Sequence, residues 1–138
     1  MPSRREIGYA EARQLVGSVA DRLEADGLGA AVAVVDAHGE LVAFLRTDGC
    51  PLPSIKIAIQ KAFTAARERS ESRALGDKSR AEEFPLTNFG ELGYVGWGGG
   101  VPVVVAGEVI GAIGVSGLPE ESDMELAGWA AASLAEAG

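Results

Sequence analysis

Hydrophobic positions in the first third of the chain change from a helical spacing to the spacing of strands. Over residues 9–26, apolar side chains recur every three or four positions, which predicts an amphipathic helix that ends at Gly27. The apolar run 30–35 predicts a strand, residues 36–39 are typical of a turn, and residues 41–46 predict a returning strand. This order indicates an antiparallel β-hairpin. The helical stripe that should face the core consists of Ala12, Leu15, Val16, Val19 and Leu23.

The middle of the chain predicts a second helix with an unusually wide apolar surface. Ser54 can cap this helix, which runs to about Arg69. A helix that is apolar on more than one face contacts its own sheet and something else, such as a partner subunit or a ligand. Lys61 and Thr64 are predicted to lie on the face of Ile57, away from the core stripe. That stripe consists of Ile55, Ala58, Ile59, Ala62, Phe63 and Ala66, broadened by Ile57 and Ala65.

The last part of the chain predicts an irregular segment, a second hairpin and a closing helix. The charged residues 70–92 predict broken helical turns in a loop that is either functional or mobile. Residues 101–105 and 109–116 predict two strands joined by a turn at 106–108. Residues 119–137 predict a helix whose acidic first turn suits its N-terminal end. Its inward-facing positions are Leu126, Ala127, Ala130 and Leu134.

The two predicted hairpins decide the fold class. Hairpins make a sheet antiparallel, so the chain is expected to be α+β rather than a parallel nucleotide-binding fold. We expect one domain over residues 1–138, which is a typical domain length. In this domain the two hairpins build the sheet and the helices flank it, in a layered arrangement like that of profilin or PAS domains.

Composition and charge exclude several classes of protein. The 47% hydrophobic content is too high for a disordered chain. Twelve basic against 20 acidic residues give a net charge of −8, which argues against nucleic-acid and anionic-membrane partners. The single cysteine, Cys50, excludes an internal disulfide and a cysteine-rich zinc site. The first residues lack the apolar stretch of a signal peptide, so we expect a cytoplasmic protein.

A run of glycines is the most distinctive local feature. Residues 96–100 contain four glycines and Trp97, but they match neither the phosphate-binding loop nor the dinucleotide-binding pattern. Exposed main chain at Gly98, Gly99 and Gly100 would let a ligand approach its N–H groups closely. The alternative is a kinked entry into a strand that packs against a helix. Tyr94 and Trp97 flank this run and are candidates to line a planar ligand, with core packing as the alternative.

Several polar side chains are candidates for chemistry. Arg46 and the lysines near the second helix could attract a carboxylate or phosphate, or could simply be surface charges. Lys61 is a candidate base or Schiff-base donor if it is desolvated. His38 stands alone at a predicted turn. Cys50 is a candidate haem-iron ligand, a candidate nucleophile if the adjacent helix N-terminus lowers its pKa, or an ordinary loop thiol. The acidic residues lack the fixed spacing of a metal motif, so no metal site is predicted.

Several motifs in order resemble the GlcG/HbpS family. They occupy residues 34–43, 46–49, 54–65, 98–102 and 109–117, and the resemblance extends from about Ala12 to Ala135. Asp123 occurs where the family usually has an acid in the last helix. The resemblance implies a compact α+β domain that assembles into dimers or higher oligomers. It also implies haem as a cofactor of some members, and a related domain ends the PduO corrinoid adenosyltransferases.

Three functional hypotheses follow from the residues and the resemblance. The first is a cytoplasmic, homo-oligomeric binding protein for a planar or anionic small molecule, which the resemblance implies to be haem or a similar tetrapyrrole. The second is a small cofactor-independent lyase or isomerase that acts on an aromatic or carboxylate substrate. In it, Arg46 or the glycine amides hold the anion, and Lys61 or an acid from residues 82–91 moves the proton. The third is a purely structural oligomer. The binding hypothesis places its pocket at Lys61, Thr64, Tyr94, Trp97, Gly98, Gly99, Gly100 and Ser116.

Overall fold

The computed structural model describes residues 5–137 of the chain. The prediction that no signal peptide is present depends partly on residues 1–4, which lie outside the described residues. None of the helices in the described part is long and apolar enough to cross a bilayer. In chain order the elements are α1 (Tyr9–Ala25), β1 (Ala31–Asp36), β2 (Leu41–Arg46), α2 (Leu52–Glu68), α3 (Ser72–Glu82), a 3₁₀ turn (Leu86–Phe89), β3 (Gly100–Val105), β4 (Glu108–Ser116) and α4 (Glu120–Ala137).

The four strands form one antiparallel sheet in the order β2-β1-β4-β3. Each hairpin supplies two neighbouring strands, and the hairpins join where β1 pairs with β4, from Ala31 opposite Ser116 to Asp36 opposite Gly111. The β3–β4 turn has positive φ at Ala106 and Gly107, as a tight hairpin turn requires. The predicted α+β class and the two-hairpin sheet are confirmed, whereas the likeness to profilin or PAS domains stays a prediction.

Helices cover both faces of the sheet. On one face α1 and α4 pack against the larger apolar cluster, which includes Val32, Val34 and Ile113. On the other face α2 packs against a smaller cluster made mainly of alanines. The predicted stripe of α1 is confirmed, because all five of its members are buried.

The predicted orientation of α2 is confirmed for its alanines, which are buried, and wrong for its large apolar side chains and for Lys61 and Thr64. Its buried face carries Lys61 and Thr64 among small side chains, and the larger Ile55, Ile59 and Phe63 are only half-buried. The cause lies in the sheet, where glycines let the α2 backbone approach so closely that only small residues fit between them. The helix also begins earlier than predicted, at Leu52 after the N-cap Pro51, so that Ser54 lies inside its first turn. The small buried residues are Ala58, Ala62, Ala65 and Ala66.

The glycines of β3 and β4 set the distance between α2 and the sheet. A Cβ placed on Gly114 would lie 2.7 Å from the backbone nitrogen of Ala62, and it would overlap the Ala58 carbonyl oxygen. A Cβ on Gly100 would lie 2.8 Å from the Lys61 carbonyl carbon. Real Cβ atoms do not approach backbone this closely, so both strand positions require glycine.

The charged segment 70–92 contains more regular structure than predicted. Residues Ser72–Glu82 form one continuous helix rather than broken turns, and a 3₁₀ turn follows. The buried face of α3 is narrow, with only Ser72, Leu75 and Gly76. A stripe of three residues, of which one is apolar and large, is too weak a periodic signal to stand out among charged neighbours.

Candidate functional site

Lys61 on α2 and Asp123 on α4 form a buried ion pair past the end of β4. Lys61 Nζ lies 3.2 Å from Asp123 Oδ2 and donates a 2.9 Å hydrogen bond to the Val115 carbonyl oxygen. Both side chains are only 4% exposed. Because α2 and α4 cover opposite faces of the sheet, this pair connects the two helical layers past the C-terminal end of the central strand β4.

The Asp123 carboxylate is held by main chain as well as by the lysine. Its Oδ1 accepts the N–H of Leu118 at 3.1 Å. Burial raises the pKa of Asp123 above its usual range, while Lys61 and the N–H groups of Leu118 and Gly117 lower that pKa in part. The pair is enclosed and hydrogen-bonded on both sides, so the geometry gives Lys61 a structural role in holding α2 against α4.

The glycine segment 98–100 is buried and engaged with the protein's own groups. The Gly98 N–H donates to Glu120 Oε2 at 2.7 Å, and the Gly100 N–H donates to Ser72 Oγ at 2.9 Å. Lys61 and Met124 fill the space next to Gly99 and Gly98. The main chain predicted to be exposed at these glycines is therefore covered by the protein's own groups, and the glycines serve close packing.

An open groove lies next to the glycine segment, between α3 and residues 94–97. It has a volume of about 340 Å³. We call it the aromatic groove because Tyr94 and Trp97 stand in its wall. Trp97 is 56% exposed, so its ring is available to a ligand. The remaining lining residues are Gly76, Ser79, Arg80, Leu86, Val95 and Gly96.

Close backbone contact and one threonine shape the aromatic groove. A Cβ on Gly76 would lie 2.7 Å from the Gly96 carbonyl carbon, so α3 touches the loop directly. Thr64 Oγ1, inside α2, donates to the Gln60 carbonyl oxygen and accepts the Val95 N–H at 3.0 Å. Thr64 is fully buried and therefore positions the groove wall without being able to touch a ligand.

Tyr94 is anchored by α2 in the wall of the aromatic groove. Its hydroxyl donates a 2.6 Å hydrogen bond to Glu68 Oε2, and its ring packs edge-on against Phe63 with ring centroids 5.9 Å apart. Burial, followed by the negative charge of Glu68, raises the pKa of Tyr94 to about 12. Tyr94 is therefore a neutral phenol at ordinary pH.

A pH titration tests this anchoring of Tyr94. The raised pKa means that its contribution to stability is intact below pH 10 and is lost as the pH rises toward about 12. Monitored by phenolate absorbance, one of the two tyrosines should ionise near pH 12, and a Tyr94→Phe variant should lack that phase. Ionisation of Tyr94 near pH 10 would contradict the hydrogen bond to Glu68.

The other predicted site residues lie away from the aromatic groove. Arg46 is exposed at the end of β2, where it lines a cavity of about 440 Å³ with Glu24 and Asp48. Ser116 is buried at the end of β4. The structure thus brings Tyr94 and Trp97 together in the groove wall and packs Lys61 against Gly99 and Gly100, whereas Arg46 lines a separate surface cavity.

Cys50 and His38 also lie apart from the aromatic groove. Cys50 is half-buried before α2, and burial raises the pKa of its thiol more than Arg46 lowers it. His38 is exposed at the β1–β2 turn, with Nδ1 3.0 Å from Glu6 Oε1. The sequence pattern did not predict that Gly76, Arg80 and Leu86 line the groove. The one available signal was Gly76 itself, a glycine inside a charged helix.

Comparison with known proteins identifies the family. The family model described as "Haem degrading protein HbpS-like" matches residues 7–132, almost the whole described chain. The chain belongs to the HbpS-like family. The resemblance predicted from the motifs is therefore confirmed, and the aromatic groove is a feature of an HbpS-like domain.

Individual relatives agree with the HbpS-like assignment. Protein GlcG of Escherichia coli K12 is 34% identical over 111 residues, which cover 76% of this chain and 77% of GlcG. The corrinoid adenosyltransferase PduO of Salmonella typhimurium is 28% identical over 93% of this chain, but the match spans only 39% of PduO.

Solved structures share the HbpS-like fold over nearly the full chain. Klebsiella pneumoniae ORFY superimposes with a TM-score of 0.90 at 26% identity, covering 100% of this chain and 96% of ORFY. The PduOC–haem complex has a TM-score of 0.84 at 28% identity, covering 93% of this chain and 94% of PduOC. At least one solved neighbour of this fold thus binds haem.

Proposed function

We propose that this HbpS-like chain binds haem, and that it does so in the aromatic groove. The solved PduOC–haem complex supports the ligand class, since it shares the fold at 28% identity. The observation that carries the site is the half-exposed ring of Trp97, which stands beside apolar groups at an open cavity. A large side chain left exposed next to a cavity is typical of a ligand-binding wall.

The aromatic groove suits the edge of a flat apolar ring. Leu86, Val95 and the Trp97 ring supply apolar surface, and the Gly76–Gly96 contact leaves the groove free of bulky side chains at that point. The volume of about 340 Å³ is at the lower end of the range for small-molecule pockets. A porphyrin would therefore have one edge inside the groove and would extend across Trp97 into solvent.

Arg80 gives the aromatic groove a partner for a carboxylate. Its guanidinium pairs with Asp77, which is on the same exposed face of α3, and its side chain is 60% exposed. A guanidinium has five N–H donors, so the Asp77 contact leaves donors for a propionate group of haem. The aromatic groove thus offers apolar contacts for a porphyrin ring and Arg80 for one of its carboxylates.

The aromatic groove offers no imidazole or thiolate to an iron atom. Among its described lining residues, the hydroxyls belong to Ser79 and Tyr94, and both donate to other protein groups, Phe84 O and Glu68 respectively. The pKa of about 12 keeps Tyr94 from acting as a phenolate ligand. Haem binding in this groove would rest on ring contacts and on Arg80, with the axial positions of the iron left to water or to another molecule.

Haem titration with matched tryptophan variants tests the proposed site. Adding haem to the chain should produce a shifted Soret band that saturates. Trp97→Ala should weaken binding by about tenfold, since losing one aromatic contact of about 1.5 kcal/mol corresponds to that factor. Trp129→Ala is the matched control, because the second tryptophan is also exposed (41%) but lines a different pocket, and its affinity should not change.

Histidine replacement provides the opposing test. His38→Ala should bind haem as tightly as the parent chain, because His38 does not line the aromatic groove. Absence of any Soret shift would overturn the proposal of haem binding. Full affinity in Trp97→Ala together with loss in His38→Ala would keep haem as the ligand but move the site to the β1–β2 turn.

The geometry does not favour the alternative of a small lyase or isomerase. In the form that uses Lys61 and Arg46, that hypothesis needs both side chains to face one substrate. Lys61 is instead enclosed by Val115 and Asp123, and Arg46 stands in another cavity. Assembly into homo-oligomers and a cytoplasmic location stay predictions.

A further inference from the structure

Three potential metal ligands converge at the β1–β2 turn. One carboxylate oxygen each from Glu6 and Asp36 and a ring nitrogen of His38 all lie within 4.8 Å of one another. They come from two segments about 30 residues apart, so no sequence spacing of the kind that marks metal motifs reveals them. Neither the haem proposal nor the Lys61–Asp123 pair uses any of these three side chains.

The backbone holds both segments of this cluster in place. Next to Glu6, Ile7 is buried and donates its N–H to the Ile110 carbonyl oxygen at 2.9 Å. On the other segment, Asp36 Oδ1 accepts the N–H groups of His38 and Glu40 at 2.9 and 3.0 Å. These two hydrogen bonds fix the orientation of the Asp36 carboxylate.

The electrostatics of the cluster favour a cation. Two carboxylates face one imidazole, and His38 Nδ1 already lies 3.0 Å from Glu6 Oε1. Two arginines near the cluster are engaged elsewhere. Arg5 pairs with Glu11 at 2.6 Å, and Arg69 donates to the Ala37 carbonyl oxygen at 2.8 Å rather than to a carboxylate of the cluster. A divalent ion would offset the negative charge of the two carboxylates.

We propose that Glu6, Asp36 and His38 bind a divalent transition-metal ion of the Zn²⁺ class. Imidazole nitrogen with carboxylate oxygens is a donor set for such ions, and sites with three protein ligands keep a further position for water. Tetrahedral zinc with bonds of about 2.0–2.1 Å places its ligands about 3.3 Å apart. The exposed side chains of Glu6 and His38 reach that spacing by small rotations, since their ligand atoms start within 4.8 Å.

Calorimetric titration of the untagged chain with ZnCl₂ alone tests this site. We expect one Zn²⁺ per chain, and MgCl₂ should bind far more weakly because it lacks preference for imidazole. His38→Gln and Glu6→Gln should each weaken Zn²⁺ binding more than tenfold, since even removing an outer partner of a zinc ligand costs about 10–100-fold. Glu40→Gln and Cys50→Ser are matched controls outside the cluster and should leave the affinity unchanged.

His38 also gives a direct spectroscopic readout. It is the only histidine in the chain, so the imidazole ring signals in an NMR spectrum need no further assignment. Those signals should shift on adding Zn²⁺ to the parent chain and to Cys50→Ser. Failure of the parent chain to bind Zn²⁺ would overturn the proposal. So would equal Zn²⁺ and Mg²⁺ affinities, or unchanged Zn²⁺ affinity in both His38→Gln and Glu6→Gln.

Discussion

A Lys61→Met variant should have a free energy of unfolding about 3–5 kcal/mol lower than the parent chain at neutral pH. Methionine is similar in length and apolar, so the change removes the charge with little loss of volume. What remains is the Asp123 carboxylate, buried and without its cation. The Val115 carbonyl oxygen also loses the donor that lies 2.9 Å away. An uncompensated buried charge is among the most destabilising changes a single substitution makes.

A double variant separates the cost of the orphaned charge from the value of the pair. Lys61→Met with Asp123→Leu replaces both charges by apolar side chains, and such replacements of buried pairs are often neutral or stabilising. We therefore expect the double variant to recover most of the stability that Lys61→Met loses. Urea denaturation measures both. A single variant that unfolds at the same urea concentration as the parent chain would show that the pair is not enclosed as described.

The effect of Lys61→Met should depend on pH with a definite sign. Burial already raises the pKa of Asp123, and Lys61 is the largest influence that lowers it, so removing Lys61 raises that pKa further. A carboxyl group whose pKa is higher in the folded state favours folding at low pH and loses that contribution as the pH rises through its folded pKa. The gap in stability between variant and parent should accordingly narrow on acidification from neutral pH.

Gly114→Ala should also be strongly destabilising, with a loss of about 3 kcal/mol or more in the free energy of unfolding. A Cβ there would lie 2.7 Å from the Ala62 nitrogen and would overlap the Ala58 carbonyl oxygen. Both obstacles are backbone atoms of α2, so no side-chain rotation relieves the contact. The whole helix must move away from the sheet, which opens the alanine-rich cluster beneath it.

Another glycine provides the control for this substitution. Gly128→Ala in α4 adds a Cβ with nothing within 4 Å, so it should be neutral or stabilise by about 0.5–1 kcal/mol through helix propensity. The midpoint temperature of thermal unfolding should therefore fall for Gly114→Ala and stay the same or rise for Gly128→Ala. Equal stabilities for Gly114→Ala and Gly128→Ala would contradict the close approach of α2 to β4.

The hydrophobic pattern was sufficient to predict most of the fold. In α1 the stripe is regular because one face packs on the core and the other meets water, and all its members are buried. The α2 pattern misled because glycines in the sheet select small side chains, so the alanines are buried while Ile55 and Ile59 stay half-exposed. The face that α2 buries is set by the glycines of β3 and β4, which the α2 sequence alone does not reveal.

The candidate site was less predictable than the fold. Tyr94 and Trp97 could be named as candidates because aromatic residues beside glycines stand out in the sequence, and their role in binding stays a prediction. Lys61 was found as a notable lysine, but its role depended on Asp123, which lies 62 positions away. The proposed metal ligands could not be predicted from the sequence for the same reason, since Glu6 and the turn that carries His38 meet only in the tertiary fold.

The pairing of β1 with β4 also constrains the order in which the chain folds. Each hairpin pairs strands that are close in sequence. The β1–β4 pairing instead joins positions roughly 80 residues apart, and contacts between such distant positions form slowly. We therefore expect neither hairpin to be stable before β1 pairs with β4, since a lone hairpin is marginal in water. Unfolding should accordingly be a single cooperative transition that disrupts both hairpins together.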